Sequence, residues 1–271
     1  MFKSTLLSLA GLVVLGATLV GAAPDSGESK ARRTQTFPWK LDIVTTTFWI
    51  GQGSSGYNST TNYKSAWDGS WTQNYGGEDN PEKRSGLLPK NFAATLNPFY
   101  CALPFNDVKY PELARRYIPW YRTPREGERY VSQCKGKWVQ IRMRSTGKVA
   151  YAQWEDVGPF RYDHADYVFG NSRPTTEHSG AGLDVSPAVR DYLGMKGLDR
   201  CDWRFVDETA VPDGPWLKYG EHALIMRALK NQVSNKSGSS LKLMLPKTQT
   251  QPSDAGTTGV GTGKKVANDK M

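Results

Sequence analysis

Two aspartates sit where a carboxyl group can be held partly out of water and aimed. Asp156 ends an alternating apolar run and is followed by Val157-Gly158-Pro159-Phe160, a sequence at which a strand must stop and turn. Asp184 lies in Gly182-Leu183-Asp184-Val185-Ser186-Pro187, at a strand end that runs into a helix. A carboxyl hemmed in by Leu183 and Val185 loses hydration, which raises its pKa and suits it to general-acid work. The plainer alternative is that Asp184 only accepts backbone N–H bonds at the helix start, as capping acids do. The pattern leaves both readings open.

Other chemistries have less behind them. His164, His178 and His222, taken with Asp163 and Asp166, show no tight ligand spacing, so no metal is expected. No nucleophile elbow, phosphate-binding loop or dinucleotide fingerprint is present, so no cofactor is implied. Three cysteines in an exported chain point to one disulfide and one odd thiol, with Cys101 and Cys134 as the favoured pair. Trp49, Trp67, Trp71 and Tyr75 cluster in or beside the long Gly- and Asn-rich stretch 51–86. Exposed rings of this kind stack on sugar faces; the alternative is that they fill core, as aromatic residues mostly do.

The elements that must position the two acids are legible in outline. Residues 138–144 alternate with Val139, Ile141 and Met143 on one face, a turn follows at 145–148, and 149–154 alternate again, which predicts a hairpin. Short strands are expected over 92–95 and 203–206. Helices are expected over 110–117, 186–193 and 221–230. The central one starts with Ser186 as cap and Pro187 in its first turn, and Gly194 stops it. Long loops, short strands and one embedded helix favour a β-barrel over a doubly wound sheet.

The ends read differently. Lys3, the apolar run 6–20 and the small residues Gly21-Ala22 have the anatomy of a secretory signal peptide, with cleavage expected after Ala22. Residues 23–40 read as a flexible linker and 231–271 as a disordered basic tail, since neither carries enough apolar surface to offset its ordering entropy. The net charge of +9 is spread rather than blocked. It attracts polyanions without specificity, so no specific nucleic-acid partner is expected. After leader removal no membrane span is expected either, and oligomeric state is left open. The expected location is exported: periplasm, wall or extracellular.

Several short runs resemble a known domain. Ala152-Gln153-Trp154-Glu155-Asp156-Val157-Gly158-Pro159-Phe160, then Gly182-Leu183-Asp184-Val185-Ser186-Pro187-Ala188-Val189 and Leu193-Gly194, look like the double-psi β-barrel signature of rare lipoprotein A, bacterial expansins and the barrel of membrane-bound lytic transglycosylase A. Ala94-Thr95-Leu96-Asn97-Pro98 and Trp203-Arg204-Phe205-Val206 are similar to expansin stretches, and Tyr75-Gly76-Gly77 resembles a run near the start of these barrels. The resemblance covers about residues 92–206. It implies a mainly β fold: a six-stranded double-psi barrel over 41–230, with long loop insertions, a few short helices and an N-terminal aromatic extension.

The same resemblance implies a partner, peptidoglycan or another wall glycan. It also implies a catalytic pair in which Asp184 is the acid and base of a lytic transglycosylase-like reaction and Asp156 assists. Trp49, Trp67, Trp71, Tyr75, Asn97 and Trp154 are the expected sugar-binding residues. Three features depart from the pattern: residues 95–98 lack the His of rare lipoprotein A, Val157 stands where it has Arg, and 161–181 form a longer insertion. Non-catalytic, expansin-like glycan binding and a purely structural envelope role therefore stand beside the enzymatic reading.

Overall fold

The computed structural model describes residues 37–55 and 60–220. The expected leader, linker residues 23–36, the helix expected over 221–230 and the basic tail lie outside the described residues. In chain order the elements are β1 (Lys40–Thr47), α1 (Trp71–Tyr75), β2 (Arg84–Ser85), β3 (Leu88–Pro89), β4 (Tyr100–Leu103), α2 (Pro111–Tyr117), β5 (Trp138–Met143), β6 (Val149–Val157), α3 (Ala165–Val168), β7 (Ala181–Val185), α4 (Pro187–Leu193) and β8 (Asp199–Val206). Six strands close a barrel in the order β1-β7-β4-β6-β5-β8, and β8 pairs back onto β1. The β1–β7 and β4–β6 pairs are parallel and the others antiparallel. The chain is mainly β, and this closed mixed barrel is consistent with a double-psi β-barrel. Among the described residues no helix is long and apolar enough to cross a membrane.

The expected hairpin is β5–β6. Val139, Ile141 and Met143 point inward and are buried, as the alternation requires. Helix α4 starts as its residues dictate: the Ser186 hydroxyl accepts from the Val189 N–H at 3.2 Å and donates to the Pro98 carbonyl at 2.7 Å. One side chain thus caps the helix and ties it to the approach of β4. Gly194 closes α4 in the left-handed region.

Three expectations need correction. Residues 92–95 form no strand; Phe92 instead packs edge-on against Tyr75 at 5.7 Å, and the Thr95 N–H bonds to the Tyr75 carbonyl. The reason lies in Gly76-Gly77: a Cβ at Gly77, whose φ is 151°, would meet the Phe92 ring at 2.8 Å. Cys101 and Cys134 are not bridged; both are buried free thiols, as is Cys201. Phe37, placed in the linker by sequence, is buried edge-on to Trp120 and Phe205, so packing starts before residue 41.

A second, smaller core lies on one outer face of the sheet. Phe48, Ile50, Trp71 and Tyr75 pack on Tyr100 and Ala102 of β4, with Phe92, Ala94 and Leu96 alongside. The aromatic stretch after β1 is therefore a folded cap. A buried polar cluster pins it. Asp79 is fully buried and pairs with Arg84, whose side chain is 6% exposed. The Tyr100 hydroxyl donates to Asp79 at 2.9 Å and accepts from the Ile50 N–H at 3.0 Å. Arg84 also reaches Asp191 of α4 at 3.2 Å. Removing one member of such a pair strands the other charge out of water, at about 3–5 kcal/mol. Arg84→Met should lower the unfolding free energy obtained from urea titration by an amount in that range, whereas Arg115→Met, at an exposed pair with Glu112, should leave the unfolding curve unchanged.

Candidate active site

The register of three strands brings the two aspartates together. Ala102 of β4 stands opposite Asp156 of β6 on one side and Asp184 of β7 on the other. Directly opposed residues share a face, and two strand spacings of about 4.8 Å set the two backbones about 10 Å apart. Because Ala102 faces the cap, the acids project toward the cap and away from the barrel interior.

Both acids reach that face through an irregularity in the ladder. Cys101 pairs with Trp154, but the next pair is Ala102 with Asp156, so Glu155 is an extra residue in β6. Without that slip Asp156 would follow Trp154 into the interior. Likewise Val44 pairs with Ala181 and Thr45 with Leu183, which makes Gly182 the extra residue ahead of Asp184. A Cβ at Gly182 would lie 2.5 Å from Pro174 and 2.6 Å from the Tyr167 hydroxyl, so the close approach needs glycine. Both of those neighbours come from the insertion 161–181. Tyr167 is buried, donates to the Gly182 carbonyl at 3.0 Å and accepts from the Trp203 indole at 2.9 Å.

The electrostatics follow from this placement. Burial pushes the Asp156 carboxyl up to about 7, against the pull of the Ala66 and Val157 N–H groups. The Ala66 N–H donates to it at 2.8 Å, and Asp156 is 8% exposed. Burial likewise raises Asp184 to about 7, helped by the negative charge of Asp156. Asp184 is the more accessible of the two; the Thr46 hydroxyl donates to it, and Gly158 borders its second oxygen without covering it. Near neutral pH such a pair holds a proton that it can release and take back.

The other expected site residues separate into two groups. Trp154 is fully buried and its indole donates to the Asp156 carbonyl at 2.8 Å, so it fixes the strand end and offers no ring face to a ligand. Tyr75 is buried in the cap core. Trp67 is half-buried, edge-on to Trp154 at 5.6 Å. Trp71 and Asn97 are buried too, yet both line a cavity of about 210 Å³ together with Ile50, Leu96, Tyr100, Lys135, Gln153 and Glu155. Asn97 is committed to the fold, bonding Gln153, the Trp216 carbonyl and the Phe99 N–H. The cavity runs along β4 and β6 beside the acids, and neither acid lines it. Trp49 is half-buried. Its indole N–H, that of Trp67 and the Thr47 hydroxyl are buried without a hydrogen-bond partner among the described residues.

Thr46 and Ala66 touch the acids and were not singled out from sequence. Nothing local marks them, since their roles arise from pairing across more than 80 residues. No group of three or more His, Cys, Asp and Glu that could hold a metal occurs among the described residues.

A carboxyl raised from 3.8 to about 7 favours the fold while protonated, and that contribution is lost as pH climbs through this window. Asp184→Asn should therefore be more stable than the parent at pH 8, by on the order of 4 kcal/mol. The gap should close toward pH 4 in denaturant titrations at the two pH values. Set beside known proteins, the chain matches no family model and no curated sequence.

Proposed function

We propose that this is an exported cell-envelope protein whose barrel binds peptidoglycan glycan strands and cleaves them by a lytic transglycosylase-like reaction. One observation carries this reading: two carboxyls on one face of the sheet, both raised to about pH 7 by burial. In the reaction Asp184 gives its proton to the glycosidic oxygen as the bond from that oxygen to the anomeric carbon breaks. The carboxylate then takes the proton of the sugar's own 6-hydroxyl, whose oxygen closes onto the anomeric carbon. No water is consumed, and one carboxyl ends as it began. Asp156 orients the sugar and, when ionised, steadies positive charge on the ring. The unpartnered buried donors of Trp49 and Trp67 are the kind of group that a polar ligand satisfies.

A second reading, non-catalytic glycan binding of the expansin kind, draws on the near-complete cover of Asp156 and on the missing His at 95–98. The two are separated by products. Incubation with purified sacculi should release anhydro-ended muropeptides detectable by mass, with a rate that falls above pH 7 as the acid ionises. Asp184→Asn should lower that rate at least 100-fold, within the usual range for an acid–base group, and Asp156→Asn should lower it by less. Full activity in Asp184→Asn would overturn the mechanism. Sedimentation with sacculi and no soluble product would favour the second reading.

A further inference from the structure

Four described residues other than glycine have φ in the left-handed region, and three of them lie in one place: Phe160 at 59°, His178 at 47° and Ser179 at 62°. Such conformations cost on the order of 1–3 kcal/mol each for side chains of this size, and they persist where the surroundings hold them for a purpose. Here they bring two rings face to face. The Phe160 and His178 rings stack with centroids 3.8 Å apart and planes 13° from parallel. The pair is not core: Phe160 is 50% exposed and His178 is exposed as well.

The position of this pair is as specific as its geometry. Phe160 stands three residues beyond the end of β6, the strand that carries Asp156. His178 stands three residues before the start of β7, the strand that carries Asp184. These ends lie on the same rim of the barrel with β4 between them, because β6 runs parallel to β4 and β7 antiparallel to it. Gly158, between Asp156 and Phe160, borders the Asp184 carboxyl.

We propose that the Phe160–His178 stack is a sugar-binding subsite at the lip of the acid pair, taking the apolar face of a β-linked N-acetylhexosamine one or two rings from the bond over Asp184. The assignment of a glycan ligand rests on the function proposed above. The stack itself rests on the exposed rings and the backbone that presents them. Phe160 supplies the flat apolar surface, and His178 backs it, holds its orientation and presents its ring nitrogens at the edge for hydrogen bonding.

The test uses the full chain and a soluble N-acetylglucosamine hexamer, followed by nuclear magnetic resonance of the histidine ring protons; three histidines keep the spectrum simple. The His178 ring signals should shift on titration while those of His164 do not. Phe160→Ala should weaken hexamer and sacculus binding about 10-fold, the loss of one aromatic stacking contact, and Phe160→Trp should restore it. The melting temperature should stay within a few degrees in both variants, since the ring is outside the core. In cleavage assays the Phe160→Ala loss should fall on KM with kcat little changed, unlike that of Asp184→Asn. If the parent chain binds sacculi and Phe160→Ala binds equally well, the subsite is wrong and the glycan function survives. If the parent chain binds neither hexamer nor sacculi, both fall together.

Discussion

The Asp79–Arg84 pair is the constraint on which the candidate site depends. A fully buried carboxylate is tolerable only beside a cation and hydrogen-bond donors, and the partners of this one come from different parts of the fold. Arg84 reaches it from the small β2–β3 hairpin, Tyr100 from the barrel, and Arg84 reaches on to Asp191 of the helix after β7. The cluster therefore sets the height and angle at which the aromatic cap lies on β4. The stretch that follows the first part of this cap brings the Ala66 N–H to Asp156 at 2.8 Å.

The barrel contributes a second constraint. Opposed residues in a regular ladder keep their faces, so acids placed by simple alternation would have entered the apolar interior, where Trp154 and Leu183 already sit. One extra residue in each acid-bearing strand turns the carboxyls outward. The two irregularities differ in support. The one at Glu155 leads into the strand end that the Trp154 indole holds, while the one at Gly182 is packed against Tyr167 and Pro174 of the insertion. The segment 161–181 thus shapes the approach to Asp184.

What was legible in the sequence divides along the range of the interactions involved. The β5–β6 hairpin and the capped helix α4 were readable because alternation, turn chemistry, Ser186 and Gly194 act within a few residues. Asp156 and Asp184 were readable as strand-end acids, and their meeting across Ala102 followed only from strand order. The cap was only half legible, since sequence left sugar stacking and core filling both open for its aromatic residues. Trp71 and Tyr75 occupy a Gly- and Asn-rich stretch whose composition signals exposed loop, yet they are buried because Tyr100 and Ala102 offer them a surface on a strand far along the chain. The Phe160–His178 stack was invisible for a related reason: positive φ at a phenylalanine or histidine leaves no mark in composition.

The closure of β8 onto β1 has a consequence for the order of events in folding. Asp42 and Asp202, 160 positions apart in the chain, meet across that seam. Until the last strand arrives, β1 and β5 each present an unpaired edge, and the first strand to be made is among the last to be sealed. Folding of this chain is thus governed by a late, non-local docking event. The barrel of the nascent domain stays open until β8 has been made.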